Sequence, residues 1–205
     1  MRINRKIMEK AKNIKVFLMD VDGVLTDGKI YFFYNSKGEL QELKPFNALD
    51  GIGLMLLSKF NIITGIITGR EAKSAEERAR MLYMRYAYMG FLSKLEPLND
   101  IMKDLNVDYK EVAYIGDDIT DIPVLKRIGL SACPQNAVDE VKEVCDIVSS
   151  KEGGNGAVRE ICDIILNSQI SRDVYISSFE NDIKLEKKDL KVVLYSKWKE
   201  KKGVL

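Results

Sequence analysis

Short apolar runs recur along the chain and alternate with longer segments of helical periodicity. The runs lack the polar–apolar alternation of half-exposed strands, so each indicates a strand buried on both faces. They occupy residues 15–19, 62–67, 111–115, 129–132 and 146–148. Helical segments are indicated at residues 49–58, 72–83, 95–105, 119–126 and 138–145, with a final helix beginning near residue 156. This alternation predicts an α/β fold with a Rossmann-like parallel sheet and helices on both faces.

One insertion interrupts the alternation directly after the first strand. Residues 30–34 (Ile-Tyr-Phe-Phe-Tyr) and 39–43 (Glu-Leu-Gln-Glu-Leu) flank a polar turn that contains Gly38. This pattern is typical of a β-hairpin, here spanning about residues 28–45. The hairpin is expected to project as a flap from the carboxyl edge of the sheet, where open α/β sheets bind ligands.

Chain length and charge distribution set the expected domain boundaries. A chain of 205 residues suffices for one α/β domain and is short for two. We assign residues 1–168 to that domain. Residues 169–205 are strongly charged, although they include an apolar run at 192–195 and Trp198. We expect this extension, of unknown role, to lie outside the core domain as a helix, an added strand or a partly ordered tail.

The composition excludes several classes of function. The chain has no histidine, which removes Ser-His-Asp hydrolases, Cys-His proteases and HExxH zinc enzymes. Its 32 Lys and Arg residues balance 31 Asp and Glu residues, so a dedicated nucleic-acid binder is not indicated. Three cysteines without a C-x-x-C pair favour free thiols in a reducing compartment. A charged amino terminus and the lack of a long apolar run predict a cytoplasmic protein without membrane contact.

The most informative segment is D-V-D-G-V-L-T-D-G at residues 20–28, directly after the first apolar run. Its first two carboxylates, Asp20 and Asp22, disfavour each other's ionised form at the end of a buried strand. A hard cation such as Mg²⁺ resolves the conflict, because carboxylate and backbone oxygens are its preferred ligands. A D-x-D pair by itself is equally compatible with two solvated loop acids.

A second acidic cluster, Y-I-G-D-D-I-T-D at residues 114–121, follows another apolar run. The carboxyl ends of parallel strands meet at one edge, so Asp117 is expected close to Asp20. Asp121 lies one helical turn further on. It is expected to orient metal-bound water without binding the metal itself. The two clusters together predict a Mg²⁺ site. A helix N-cap at Asp118 is an alternative role for part of the cluster, and both roles are compatible.

Two hydrogen-bond donors are expected at the same edge. Thr68 ends the second core strand, and Lys94 follows a weaker strand-like stretch before a helix. A hydroxyl and an ammonium beside metal-bound carboxylates can bind the oxygens of a phosphoryl group. Each residue by itself is weak evidence, since most lysines are surface residues.

The order of these groups separates two acid-rich α/β families. In two-component receiver domains the paired acids close the first strand, the phosphorylated Asp stands alone on a middle strand, and the Lys comes last. Here D-x-D-G comes first, Thr68 and Lys94 follow, and the second acidic cluster comes last. This order, together with the D-V-D-G-V-L-T-D-G motif, resembles the haloacid dehalogenase superfamily of phosphatases.

The resemblance is closer to one family, the 3-deoxy-D-manno-octulosonate 8-phosphate phosphatases, and covers roughly residues 12–166. Besides the acidic motifs and Lys94, it depends on F-N-A-L-D-G at 46–51, I-T-G-R at 67–70 and G-G-N-G-A-V-R-E at 153–160. Related phosphatases of this architecture act on nonulosonate 9-phosphates. Similar domains are fused to sialic-acid cytidylyltransferases.

The resemblance implies an aspartyl-phosphate mechanism for release of phosphate from a phosphorylated 2-keto sugar acid. Asp20 would be the nucleophile, and Asp22 the general acid and then the general base. Thr68 and Lys94 would hold the phosphoryl oxygens.

The same resemblance implies a cofactor and a set of substrate contacts. Mg²⁺ would bind Asp20, the backbone carbonyl of Asp22 and Asp117, with Asp121 supporting them. The residues implied in substrate binding are Asp22, Asn47, Ala48, Leu49, Asp50, Gly51, Gly69, Arg70, Arg78 and Lys94.

Two of these residues are expected to act as cationic partners of the substrate carboxylate. Arg78 lies eight residues after Arg70 (78 − 70), so one helix would place both guanidinium groups on the same face. An exposed residue in surface salt bridges is the alternative for Arg78.

The spacing of the motifs indicates an open, capless site. From Asp20 to Thr68 the separation is 68 − 20 = 48 residues, and from Thr68 to Lys94 it is 94 − 68 = 26 residues, too few for a folded cap domain. The resemblance implies a homotetramer in which a neighbouring subunit closes each site. The Gly-Gly-x-Gly-Ala segment of one subunit, residues 153–157 here, would reach the site of the next subunit.

Three positions depart from the family pattern and keep other functions open. Met55 stands where many members have Arg, Leu49 is apolar, and Asn155 replaces a residue that is often basic. One alternative is a phosphatase for a nonulosonate 9-phosphate or another small phosphate ester. The other is a non-catalytic assembly module that partners a sugar nucleotidyltransferase. The intact catalytic set argues against this second alternative.

Overall fold

A computed structural model describes residues 4–178 and 189–202. Its strands are β1 (Val16–Met19), β2 (Tyr31–Tyr34), β3 (Leu40–Leu43), β4 (Ile63–Thr68), β5 (Tyr86–Met89), β6 (Val112–Ile115), β7 (Leu130–Cys133), β8 (Ile147–Val148) and β9 (Lys191–Leu194). Seven of them form a parallel sheet in the order β8-β7-β6-β1-β4-β5-β9. The predicted α/β class is therefore confirmed, and each of the five predicted core strands begins and ends within one residue of its expected position.

The helices cover both faces of this sheet. They are α1 (Arg5–Lys12), α2 (Ala48–Lys59), α3 (Lys73–Met81), α4 (Leu95–Leu105), α5 (Ile122–Leu125), α6 (Asp139–Lys142), α7 (Ala157–Gln169), α8 (Arg172–Ser177) and α9 (Tyr195–Lys202). Successive residues of β1 point to opposite faces, so Phe17 and Met19 join one buried apolar cluster while Val16 and Leu18 join the other. Helices α1, α2, α3 and α7 contribute to the first cluster, and α4, α5 and α6 to the second.

The hairpin flap is present after β1. Strands β2 and β3 pair antiparallel, with Tyr31 opposite Leu43, and Gly38 adopts φ +75° in the turn between them. All four aromatic side chains of β2 are exposed. The flap therefore extends away from the core sheet.

Three predicted helices are shorter than the sequence pattern indicates, and the one predicted at 72–83 is α3, Lys73–Met81. Residues 119–126 form a 3-10 turn, Ile119–Asp121, followed by α5, in which Pro123 lies in the first turn. Proline has no N–H group and is tolerated at a helix start, so α5 begins afresh there. The predicted helix at 138–145 is reduced to the four residues of α6.

Helix α1 adds an element that the sequence analysis treated only as a charged terminus. Its N-cap Asn4 accepts a hydrogen bond from the N–H of Ile7, and basic residues occupy its last turn. Ile7 and Ala11, four residues apart, are its buried positions.

Of the alternatives for residues 169–205, an added strand is confirmed for Lys191–Leu194, but the expectation that this strand lies outside the core domain is wrong. Helix α7 continues to Gln169, and β9 pairs with β5 as the edge strand of the core sheet. Val192 and Leu194 pack on one apolar cluster, whereas Val193 packs on the other. This alternation explains why the apolar run became a strand in a charged segment. Residues 179–188 and 203–205 of the predicted extension lie outside the described residues.

Two further expectations concern the chain as a whole. Within the described parts of the chain, no helix has the length and apolar character needed to cross a membrane. Cys133, Cys145 and Cys162 are free, and the first and last of them are buried. The cytoplasmic location stays a prediction.

Candidate active site

The carboxyl ends of four neighbouring strands, in the order β6-β1-β4-β5, bring the predicted residues to one edge of the sheet. Asp20 follows β1 directly, and Thr68 is the last residue of β4. Asp117 lies two residues beyond β6, and Lys94 precedes the first residue of α4, on the segment that follows β5. The topology thus brings together residues that are up to 97 positions apart in the chain (117 − 20).

Asp20 is nearly buried and has a fixed orientation. Its Oδ1 accepts a hydrogen bond from the N–H of Val21 at 2.6 Å, and its Oδ2 accepts one from Lys94 Nζ at 2.6 Å. Burial raises the pKa of Asp20 to about 6, although Lys94 opposes the rise. One oxygen is therefore oriented by the backbone and the other by an ammonium group.

Lys94 is buried between two carboxylates. Its Nζ donates to Asp20 Oδ2 and, at 2.5 Å, to Asp121 Oδ1. Burial by itself lowers the pKa of Lys94, but the two carboxylates outweigh that effect and raise it above the ordinary value. An ammonium has three N–H groups, so one is left beyond these two bonds.

Asp121 is fully buried, and its carboxylate accepts four hydrogen bonds from other parts of the site. Its Oδ1 accepts from Lys94 and from the Tyr114 hydroxyl at 2.7 Å, while its Oδ2 accepts from the N–H groups of Asp117 and Asp118. Burial, with the Asp121 charge, raises the pKa of Tyr114 well above its usual range, so its hydroxyl remains a donor. Sequence analysis missed Tyr114. The signal was a tyrosine inside an otherwise apolar buried strand, where a hydroxyl needs a partner.

Asp117 is the residue whose charge is least compensated. Its Oδ1 is buried without a hydrogen-bond partner. Burial, followed by the charges of Asp20 and Asp121, raises its pKa to about 8. Gly23 permits the close approach of the first acidic loop: a Cβ there would lie 2.0 Å from Asp117 Oδ2, and its φ is +84°.

These carboxylates fit a divalent cation. Asp20, Asp117 and Asp121 each offer an oxygen, and the three oxygens lie within 4.8 Å of one another. Oxygen-only ligands suit Mg²⁺, and a cation would remove the repulsion that raises the pKa of Asp117. The unpartnered Asp117 Oδ1 is the observation that supports this fit.

The hairpin places two residues beside Asp22 that the sequence analysis did not select. Lys44 is buried and pairs with Asp22 Oδ1 and, at 2.9 Å, with Glu42. Glu42 also pairs with Arg70, whose Nε lies 3.9 Å from Asp22 Oδ2. Burial alone raises the pKa of Glu42, but Lys44 and Arg70 together lower it. The sequence Glu-Leu-Lys at the end of the hairpin was the available signal. Whether its charged side chains face Asp22 depends on how the flap folds back, which the sequence does not reveal.

The expectation that Arg70 and Arg78 share one helix face is wrong. Arg70 precedes α3, which begins at Lys73, and pairs with the hairpin. Arg78 lies in α3, is half-buried over the Phe46 ring, and donates to the backbone carbonyl of Asn47 at 2.9 Å. It is therefore neither an exposed salt-bridge residue nor next to Arg70 on a helix.

The other residues predicted to bind substrate occupy the start of α2 and the loop after β4. Asn47 is the N-cap of α2, so its side chain accepts from the N–H of Leu49, and its amide donates to Gly154. Asp50 is buried and accepts from the N–H of Arg159 at 2.8 Å, at the start of α7. Burial raises its pKa. Ala48 and Leu49 are exposed, Gly51 packs against Arg78, and Gly69 packs against Leu92.

The glycine-rich segment 153–157 packs on its own chain, and its predicted contact with a neighbouring subunit stays a prediction. The N–H of Gly154 donates to the carbonyl of Val24, and a Cβ on Gly153 would lie 1.8 Å from the Gly23 carbonyl. Asn136, another residue that the sequence analysis missed, bridges the Gly23 carbonyl and the N–H of Gly153. The segment therefore packs against the loop of the first acidic motif and stabilises its conformation.

Comparisons with known proteins agree with this geometry. A family model described as haloacid dehalogenase-like hydrolase matches residues 87–161. The 3-deoxy-D-manno-octulosonate 8-phosphate phosphatase of Salmonella typhi is 41% identical over 82% of this chain and 87% of its own.

Solved structures give the same result. The phosphatase of that name from Moraxella catarrhalis, in complex with magnesium, phosphate and the sugar acid, superposes with a TM-score of 0.81 at 40% identity, covering 86% of this chain and 99% of its own. The Yersinia pestis phosphatase gives a TM-score of 0.77 at 40% identity, covering 82% and 88%.

The fold and the paired acidic motifs at its carboxyl edge define a phosphatase of the haloacid dehalogenase type. The chain belongs to the family of 3-deoxy-D-manno-octulosonate 8-phosphate phosphatases. The superfamily, fold and enzyme class predicted from the sequence are thereby confirmed.

Proposed function

We propose that this chain releases inorganic phosphate from 3-deoxy-D-manno-octulosonate 8-phosphate, using Mg²⁺. The observation that supports it most is the oriented Asp20 carboxylate, which lies between Lys94 and two further carboxylates at the sheet edge. The substrate assignment follows from relatives of that name at 40–41% identity.

Asp20 is the nucleophile in this proposal. One of its oxygens attacks the phosphorus atom, and the phosphorus–oxygen bond to the sugar breaks as the aspartyl-phosphate forms. Asp22 donates a proton to the departing sugar oxygen; its Oδ2 is buried and has no hydrogen-bond partner among the described residues. Lys94 and Thr68 hold the phosphoryl oxygens during the transfer.

Hydrolysis of the intermediate reverses the role of Asp22. A water attacks the phosphorus atom and gives its proton to Asp22, and the bond to Asp20 breaks. Inorganic phosphate leaves, and both carboxyl groups return to their starting state. Lys44 pairs with Asp22 Oδ1 and leaves Asp22 Oδ2 without a hydrogen-bond partner among the described residues.

Asp20, Asp117 and the backbone carbonyl of Asp22 would hold the Mg²⁺, and Asp121 would fix their surroundings through Lys94 and the 117–118 backbone. When bound, the cation neutralises negative charge on the phosphoryl group.

Replacement of the nucleophile tests this assignment. Asp20→Asn is expected to lower kcat by at least about a thousandfold, because the amide cannot form the covalent intermediate. Phosphate release is measured with Mg²⁺ present. The matched control is Asp27→Asn in the same motif, whose exposed carboxylate contacts only Lys29 and Tyr31 among the described residues; it should keep wild-type kcat. An active Asp20→Asn variant of unchanged oligomeric mass would refute the mechanism.

We also infer a homotetramer in which a neighbouring subunit closes the open site. The supporting feature is the hairpin, where Tyr31, Phe32, Phe33 and Tyr34 are 38%, 59%, 48% and 74% exposed. An apolar patch of this kind typically marks a protein–protein interface.

A further inference from the structure

The carboxyl-terminal strand, β9, leads directly into helix α9 at the edge of the sheet that contains the site. Leu194, the last residue of β9, pairs opposite Met89, the last residue of β5. Helix α9 begins at the next residue, Tyr195, without an intervening loop. Its first turn is therefore level with Gly90, at the start of the segment that leads to Lys94.

This first turn binds the loop that follows Thr68. The N–H of Ser196 donates to Glu71 Oε1 at 2.8 Å, and the Ser196 hydroxyl donates to Glu71 Oε2 at 2.9 Å. Glu71 follows Arg70 directly, so both of its carboxylate oxygens attach the end of the Thr68–Arg70 loop to α9. A carboxylate at a helix amino terminus is favourably placed in the helix dipole.

The same helix also packs on the segment that precedes Lys94. Phe91 is buried, and its ring lies 5.2 Å from that of Tyr195 and 5.7 Å from that of Trp198, both edge-on. The N–H of Phe91 donates to the Thr68 carbonyl at 2.9 Å. At Gly90, whose φ is +87°, a Cβ would lie 2.9 Å from both Glu71 and Tyr195. The two loops and the helix therefore meet at this glycine.

We propose that residues 189–202 are a positioning element for phosphate binding, with Ser196 and Trp198 as its positioning residues. They hold in register the two loops that present the Thr68 hydroxyl and the Lys94 ammonium, and they touch no reacting atom themselves. Two donors on separate loops bind one phosphoryl group only at a fixed separation, so loosening either loop weakens binding. The inference rests on the proposed phosphatase function.

Two mild substitutions test the proposal. Ser196→Ala removes the hydroxyl that binds Glu71, and Trp198→Leu removes the ring that packs on Phe91 while keeping apolar volume. We expect the dissociation constant of inorganic phosphate, measured by calorimetry with Mg²⁺, to rise about threefold for Ser196→Ala and about tenfold for Trp198→Leu. The kcat/KM should fall by similar factors.

The matched control is Ser177→Ala, which removes an exposed hydroxyl whose one bond within residues 4–178 and 189–202 is to the Val174 carbonyl in α8. It should leave phosphate affinity and kcat/KM at their wild-type values. Circular dichroism at the assay temperature checks that each variant is folded. Folded variants with wild-type phosphate affinity and a lowered melting temperature would show a merely structural role and overturn the proposal. A wild-type protein that binds phosphate but hydrolyses no ester would instead overturn the proposed function alone.

Discussion

At the residue scale, the candidate site contains more negative than positive charge. Lys94 pairs with both Asp20 and Asp121, whereas no ion pair reaches Asp117 among the described residues. Asp117 is partly buried and its Oδ1 has no hydrogen-bond partner in the described part of the chain, and burying a charged oxygen in this way is costly. A divalent cation would supply the missing positive charge. The carboxylate that destabilises the metal-free fold is therefore the same group that would bind the catalytic metal.

Asp117→Asn is expected to stabilise the metal-free protein by a few degrees in a thermal melt at alkaline pH. Burial and the neighbouring carboxylates raise the pKa of Asp117 to about 8, from about 3.9 for an unperturbed aspartate. A carboxyl whose pKa is raised by folding destabilises the fold increasingly as the pH rises between those two values. The advantage of the variant should therefore grow from acid pH to about pH 8 and then level off.

The response of the melting temperature to Mg²⁺ distinguishes the loss of a metal ligand from a stabilisation that is unrelated to metal binding. Mg²⁺ should raise the melting temperature of the wild-type protein by mass action and that of Asp117→Asn much less, because a ligand has been lost. Equal stabilisation of both proteins by Mg²⁺ would contradict the role assigned to Asp117.

The sequence identified the site residues whose type and spacing are themselves unusual. Asp20, Asp117 and Lys94 meet as predicted, because their positions depend only on which strand ends they follow. Lys44 and Tyr114 could not be placed in the same way. Their roles depend on how the hairpin folds back and on which face of β6 the hydroxyl leaves.

At the scale of elements, long periodic segments were predictable and short ones depended on tertiary contacts. Helix α4 has the predicted bounds, since its amphipathic pattern ends at Asn106, which adopts a left-handed conformation with φ 51°. Strand β9 is flanked by charged residues, and its pairing is decided by β5, which no local pattern reveals. The 3-10 turn before α5 likewise depends on a capping box between Asp118 and Asp121.

Three elements are joined by one carboxylate, which provides a pH-dependent test. Asp146, directly before β8, accepts from Lys10 of α1 at 2.5 Å and from the backbone and hydroxyl of Ser131 in β7. Burial alone raises the pKa of Asp146, but these donors outweigh it and lower the pKa. Asp146→Asn should reduce the free energy of unfolding in urea at neutral pH by about 1–2 kcal/mol.

The sign of the pH effect follows from the lowered pKa. A carboxyl whose pKa is depressed by folding contributes its stability above the unfolded value and loses it as the pH falls through the folded value. The difference between wild type and Asp146→Asn should therefore shrink below about pH 4. Asp139→Asn is the control; its 91% exposed carboxylate forms a surface pair with Lys142, worth less than about 0.5 kcal/mol. A difference that persists unchanged in acid would contradict the assignment.

At the scale of the whole molecule, the hairpin presents a continuous run of exposed apolar and aromatic residues at 30–34. A two-stranded sheet is marginally stable by itself, and four consecutive exposed aromatic residues are unfavourable in water. Burial between subunits would stabilise the flap and hold Lys44 against Asp22.

The double substitution Phe32→Lys and Phe33→Lys tests the tetramer. It should lower the molar mass measured by light scattering from that of a tetramer and reduce kcat/KM, because it introduces charge into the interface. Lys37→Ala in the hairpin turn should change neither quantity. A wild-type protein that is monomeric at assay concentrations would contradict the tetramer.

The release of phosphate by the wild-type protein from a panel of esters tests the proposed function most directly. The panel contains 3-deoxy-D-manno-octulosonate 8-phosphate, nonulosonate 9-phosphates and hexose phosphates, each assayed with Mg²⁺ and with a chelator. We expect selective hydrolysis of the octulosonate ester, and we expect this hydrolysis to be lost when Mg²⁺ is removed. Preference for a different ester would contradict the substrate assignment, and absence of turnover on every ester would contradict the proposed function itself.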